Sequence, residues 1–286
     1  MEATSTPTIT PAHTSSGGSP GGQRGRLELA FARSGRAGDA KSVLSRRYAS
    51  SPFGSVRASY PDGSGIPELQ VMNPSGGILG GDHLRSEVSL EPGAAATILT
   101  QGAAKAYRGA ESAAETVFTV GEGAFLEYLP HHLIPYAGSS HRLATEFHLR
   151  KDSTLLTWEA FSAGRLARGE RFAFDRLSSR TRLFVEGRPE AIDGFELAGG
   201  GEPFGGYPYM GTIFVRAPGG GEELSERLHL AVQAENILGS ASRPGPSLCV
   251  VRVLAPAAGP LYSALNLVRA RTRESLGLPP ASREVR

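Results

Sequence analysis

Three clusters in this chain hold residue types that do chemistry, and a glycine-rich loop precedes them. Glu127-Tyr128-Leu129-Pro130-His131-His132 puts a carboxylate and two imidazoles close together, donors suited to a transition metal such as Ni²⁺ or Zn²⁺. Neighbouring side chains on a strand point to opposite faces, so His131 and His132 can grip one ion only across a turn, which Pro130 can supply. A surface or partly buried pair is the alternative. The second cluster runs from Trp158 to Glu170 and brings Glu159, Arg165, Arg168 and Glu170 near a Trp and a glycine turn. A carboxylate held at the core end of an apolar strand needs a partner, and Arg165 or Arg168 is the expected one for Glu159. Such a group is either a structural ion-pair network or a polar patch lining a channel or interface. The third cluster, Gln101 to Arg108, contains Lys105, but no neighbouring base or nucleophile partner accompanies it.

The loop is Asn73-Pro-Ser-Gly76-Gly77-Ile-Leu-Gly80-Gly81-Asp82. Paired glycines mark backbone that turns through positive φ or lets another group come close. Phosphate binding is disfavoured, because a P-loop needs Gly-Lys-Ser/Thr and Gly81 is followed by Asp82. The spacing does not fit a dinucleotide fingerprint either. A tight structural corner or a partner-facing loop is the expectation. No G-x-S-x-G, H-E-x-x-H or C-x-x-C occurs, and nothing assembles into a recognisable active site.

The elements that must position these residues read as mainly β. Gly (37) and Pro (20) are plentiful in 286 residues and helix-periodic stretches are few, which favours strands and turns. Residues 1–26 are low-complexity and expected to be disordered, leaving 27–286 as one β-rich domain that starts on the alternating strand Leu27–Phe31. A pattern recurs: Val88-x-Leu90-x-x-Gly93-Ala94, then Phe118-x-Val120-x-x-Gly123-Ala124, then Phe147-x-Leu149-x-x-Asp152-Ser153. Hairpin-like units at this period predict stacked strands in a helical, solenoid-like two-sheet arrangement. Two α-helices are expected near the C-terminus. One lies over Glu222–Gly239 and stops at Gly239; the other runs through Leu261, Leu265 and Val268 to Leu276, ahead of Gly277 and Pro279. Between them Leu248–Leu254 reads as a buried strand that contains the single cysteine, Cys249.

A net charge of +2 gives no case for nucleic acid. One cysteine allows no internal disulfide, so a reducing compartment fits. No apolar run approaches membrane-spanning length and the N-terminus lacks a secretory h-region. The cytoplasm is the expected location.

In this order the four motifs, Asn73–Asp82, Leu99–Arg108, Leu126–Pro130 and Trp158-Glu159 with Gly164-Arg165 and Gly169-Glu170, strongly resemble the urease accessory protein UreD (UreH) family. The resemblance runs from about residue 27 to about 254. It implies a non-catalytic chaperone that binds apo-urease and UreF, through which the GTPase UreG is recruited, so that Ni²⁺ reaches the urease active site. It implies no stably bound cofactor, only transient Ni²⁺, and a homodimer within the UreD–UreF–UreG complex. A channel carrying nickel has been proposed for the family, and the resemblance makes Asp82, Glu127, Glu159, Arg165 and Glu170 candidates for that channel or for an interface. The chain departs from the family at His131-His132, where Gln usually follows the Leu-Pro, and in its tail, Ser282–Arg286. A different class of reading makes Glu159 and Glu170 an acid/base pair of a β-solenoid carbohydrate-active hydrolase, which needs the two carboxylates about 5–10 Å apart.

Overall fold

The computed structural model describes residues 22–35, 41–54, 57–233 and 237–286. Its strands are β1 (Arg24–Ser34), β2 (Lys41–Ala49), β3 (Ala58–Ser59), β4 (Glu68–Val71), β5 (His83–Leu90), β6 (Ala95–Thr100), β7 (Ala104–Ala106), β8 (Ser112–Val120), β9 (Phe125–Leu129), β10 (Leu133–Pro135), β11 (Ser140–Leu149), β12 (Thr154–Ser162), β13 (Arg176–Val185), β14 (Arg188–Ala198), β15 (Tyr209–Arg216), β16 (Leu238–Gly245) and β17 (Leu248–Ala255). Helix α1 (Gly221–Ala231) lies between β15 and β16, and α2 (Ala258–Ser275) follows β17.

The strands form two sheets. The first has the order β14-β13-β11-β8-β5-β1-β2, the second β16-β17-β15-β12-β9-β6-β4-β3. Their centres are parallel: β1, β5, β8, β11 and β13 in one, β4, β6, β9 and β12 in the other. Parallel neighbours need a crossover, and here each crossover is a strand of the opposite sheet, so β5–β6, β8–β9 and β11–β12 are successive coils. The short strands β7 and β10 pair in parallel, and β10 joins the second sheet at the end of β12. This is the mainly β, solenoid-like two-sheet arrangement expected from the repeat. The echo positions stack in register, Val88 on Phe118 on Phe147 and Leu90 on Val120 on Leu149. Phe118 and Phe147 lie face to face at 4.8 Å inside the sandwich. One coil alone leaves its apolar face wet, and stacking removes it from water.

Alternation decides what each sheet buries. In the second sheet Leu126 and Leu155 point inward to the inter-sheet core, while Leu129, Leu156 and Trp158 point outward under the helices. The helices cover that outer face through Leu224, Leu228, Leu261, Leu265 and Val268.

Two boundaries differ from the sequence expectation. Strand β1 starts at Arg24, inside the stretch assigned to the tail, because the Asp82 carboxylate accepts from the Gln23 amide (2.8 Å) and Ser50 Oγ from the Arg26 amide (2.8 Å). The rest of that tail, residues 1–21, lies outside the described residues. Helix α1 ends at Ala231, and Leu238 and Gly239 belong to β16. Gly239 is where the returning strand passes Val232 so closely that a Cβ would sit 2.7 Å from the Val232 Cβ; its bareness serves packing, not a helix stop. Helix α2 ends as expected, with Gly277 at φ +65°.

Candidate functional site

Strand β12 carries Glu159 on its inward face, in step with Leu155 and Phe161. The carboxylate reaches across the sandwich to the first sheet, where Ser179 Oγ donates to Oε2 at 2.7 Å and Thr181 Oγ1 at 3.4 Å. The other oxygen, Oε1, is inaccessible and has no partner. Glu159 borders an inter-sheet cavity of about 160 Å³ that Thr116, Tyr128, His131 and Thr145 also border. Burial pushes the Glu159 carboxyl up to about 7; the Ser179 hydrogen bond opposes this and the nearby Asp193 charge adds to it. A buried carboxylate is expensive without a matching cation, and the expected guanidinium is not there. Arg165 pairs instead with Glu170, so the expected Glu159 ion pair to Arg165 or Arg168 is corrected to a hydroxyl pair. The reason is direction: Glu159 faces inward on the strand, whereas Arg165 and Arg168 lie beyond its end in an outward turn at Leu166–Arg168. Glu159 is thus equipped to hold a proton near neutrality.

Glu127 occupies the opposite face of the same sheet. It is fully buried beneath α2, where Arg269 Nη2 (3.0 Å), Arg273 Nη1 (2.8 Å) and Thr97 Oγ1 (2.8 Å) all donate to Oε2. Burial alone would raise its pKa, but the charges and hydrogen bonds of Arg269 and Arg273 outweigh it and hold the carboxyl below its usual range. Arg273 also meets Asp62 at 3.2 Å, closing a four-membered network of two cations and two anions. Among the described residues Glu159 borders the inter-sheet cavity and Glu127 does not.

The Asn73–Asp82 loop is a structural corner. Asn73 Oδ1 accepts from the Ser75 amide and its Nδ2 donates to the Gly77 carbonyl. Asp82 is buried and each of its two oxygens accepts from one backbone amide, those of Gln23 and Leu79, as a cap. The glycines admit the next coil: a Cβ on Gly80 would lie 2.6 Å from the Gly109 Cα, and one on Gly77 2.6 Å from the Lys105 carbonyl oxygen. Gly76 and Gly81 carry positive φ. Lys105 lies on β7 beside this corner and Arg108 just beyond, exposed. Arg165 and Glu170 make a bidentate pair nearby, and Glu170 also accepts from the Ala137 amide. Glu159 and Glu170 share no partner, one buried between the sheets and the other held outside.

His131 and His132 sit in the turn between β9 and β10, both against Tyr262, and hydrogen-bond to different partners. His131 Nδ1 is 3.0 Å from Thr100 Oγ1, and His132 Nδ1 is 2.9 Å from Tyr262 Oη. Burial lowers the pKa of both, that of His132 to about 4. Among the described residues no group of three or more His, Cys, Asp or Glu side chains is placed to hold a metal ion. Cys249 is buried in β17 with its thiol pKa raised by that burial.

Sequence reasoning missed Ser179, Thr181, Arg269 and Arg273, which decide the states of the two glutamates. The hydroxyls carry no sequence signal. The arginines do: at 269 and 273 they are one helical turn apart and follow Leu265 on the apolar stripe, a placement that an exposed pair would not need.

The chain is a coil of two sheets with helices on one face and a polar group aimed into its interior. The sequence model of the UreD urease accessory protein family matches residues 23–286, and the chain belongs to that family. It is 36% identical over 247 residues to urease accessory protein UreD of Azoarcus sp. strain BH72, covering 84% of this chain and 85% of that one. It is 31% identical over 288 residues to the UreD of Delftia acidovorans, covering 91% and 93%, and 33% identical over 195 residues to that of Klebsiella aerogenes, covering 67% and 70%. Membership makes it a urease accessory protein, with a role in urease maturation. No helix among the described residues is long and apolar enough to cross a membrane.

Proposed function

We propose that this chain is a non-catalytic maturation chaperone that docks apo-urease and UreF, and through UreF the GTPase UreG, to support Ni²⁺ delivery into the urease active site. It acts in the cytoplasm, as a homodimer within the UreD–UreF–UreG complex. The observation that carries the reading is the family match along nearly the whole described chain. Nickel is cargo in this scheme. Glu159, with one oxygen unpartnered at an internal cavity, is the side chain best equipped to touch it. An oxygen donor of this kind binds Ni²⁺ weakly enough to release it.

The test is co-expression of the tagged chain with its cognate UreF and UreG, with and without apo-urease. A co-eluting complex that raises Ni-dependent urease activity supports the proposal; a chain that stays apart from every partner overturns it. Within an active complex, Glu159→Gln is expected to lower urease activation while leaving complex formation unchanged, and equal activation by the variant removes Glu159 from the path. The hydrolase reading gains nothing from the geometry, since Glu159 is bonded to Ser179 between the sheets and Glu170 to Arg165 outside.

A further inference from the structure

The corner loops of successive coils stack into one ridge beside the short strands β7 and β10. Ile78 bridges to Ala106, and Gly80 packs on Gly109. Tyr107 meets Tyr136 edge to face at 4.9 Å, and the Arg165 guanidinium lies over the Tyr136 ring at 4.1 Å. The Arg108 stem rests 3.7 Å from where a Gly138 Cβ would be. The ridge therefore presents an exposed Leu79 (44%) beside two half-buried tyrosines, with Arg108 and Arg168 exposed at its edges.

Its charge is unbalanced. Lys105, Arg108, Arg165 and Arg168 are set against Asp82, Glu170 and the exposed Asp175 beside Ser139. Asp82 is buried and bonded to two backbone amides, and Glu170 is engaged by Arg165. Among the described residues no ion pair within 4 Å is formed by Lys105, Arg108 or Arg168. The outer face of the first sheet is different: there Arg85 pairs with Glu87, Arg142 with Glu115 and Arg182 with Glu146, as on an ordinary solvated surface. Tyrosine and arginine are the residues that interface centres favour. Uncompensated cations draw an acidic partner and set its register. Arg165, already stacked and clamped, has little side-chain freedom left to lose on binding.

We propose that this ridge is the docking surface for an acidic, extended segment of a protein partner. Its apolar side chains lie on Leu79, Tyr107 and Tyr136 and its carboxylates on Arg108 and Arg168. The inference rests on the accessory-protein reading, in which the chain works by binding other proteins.

The test titrates the full chain against apo-urease and, separately, against UreF, at low and at moderate salt. The charge reversal Arg108→Glu with Arg168→Glu is expected to weaken binding to one of the two about tenfold or more, and the wild-type affinity for that partner to fall as salt rises. Leu79→Ser is expected to weaken the same contact about threefold to tenfold. Melting temperatures near that of wild type show that the variants are folded; if the reversal is not, Arg108→Gln with Arg168→Gln replaces it, with the same partner expected to weaken. A folded reversal or neutralised variant that binds both partners within about twofold of wild type overturns the proposal alone. A wild-type chain that binds neither partner overturns the accessory reading and this proposal with it.

Discussion

Glu127 and Glu159 lie on neighbouring strands of one sheet and have opposite fates. Glu127 is opposite Leu156 in the parallel register of β9 and β12. Glu159 is three residues further along β12, and an odd step on a strand turns the side chain to the other face. One carboxylate meets α2 and two guanidinium groups; the other meets two hydroxyls and a cavity. The first is ionised and structural. The second is held near its titration point and keeps an unpartnered oxygen. Glu127 is fully buried and Glu159 partly so, and withdrawal from solvent alone does not decide which carboxylate is ionised. The partner set does.

The sharpest way to break the comparison is to remove the well-paired member. Glu127→Ala leaves the buried Arg269 without an anion and Arg273 with Asp62 alone, and a stability loss of about 3–5 kcal/mol is expected, read as a lower urea midpoint with an unchanged slope. If the network is only one solution to filling that space, Glu127→Leu with Arg269→Met and Arg273→Met recovers stability to within about 2 kcal/mol of wild type. A triple variant as unstable as the single one would show that the ion network itself is required.

The Glu159 side is sharpened by pH. Its carboxyl is raised from 4.5 to about 7 in the folded state, so the folded chain binds this proton more tightly than the unfolded chain. The stability this proton contributes is fully present below about 4.5 and is lost as pH rises through about 7. Glu159→Gln removes that slope. Relative to wild type the variant is expected to gain roughly 1–3 kcal/mol between pH 5 and pH 8, checked by urea unfolding at both. Parallel pH profiles for the two proteins would mean that the cavity solvates the carboxylate well. The smallest effect is expected at Glu170, whose pair with Arg165 lies at the surface: Glu170→Gln should change the melting temperature by no more than about 2 °C.

Much of this was legible in the residues. The echo of Val88, Phe118 and Phe147 at near-constant spacing is the coil itself, because stacked strands must present like side chains to one interior. The opening loop was legible as a corner or a partner-facing loop, since Asp82 in place of a lysine disfavours phosphate; the amides that Asp82 caps were found only in the structure. The end of α1 was not legible: Gly239 reads as a helix stop in sequence and is a site of close strand passage in space. The partner of Glu159 was not legible either, because proximity in sequence favoured Arg165, and the strand carries Glu159 inward before the chain turns out to reach it.

The sequence by itself determined the class of fold, the coil period, the family and the residue types available for chemistry. These follow from periodicity and composition, which are local and repetitive. Only the tertiary structure decided which glutamate would be neutralised and which left with a free oxygen. That outcome depends on Ser179, Thr181, Arg269 and Arg273, which are brought from 20 to 146 residues away. The energy of a buried charge is set by what lies within a few ångströms of it in space, and no spacing along the chain encodes that distance.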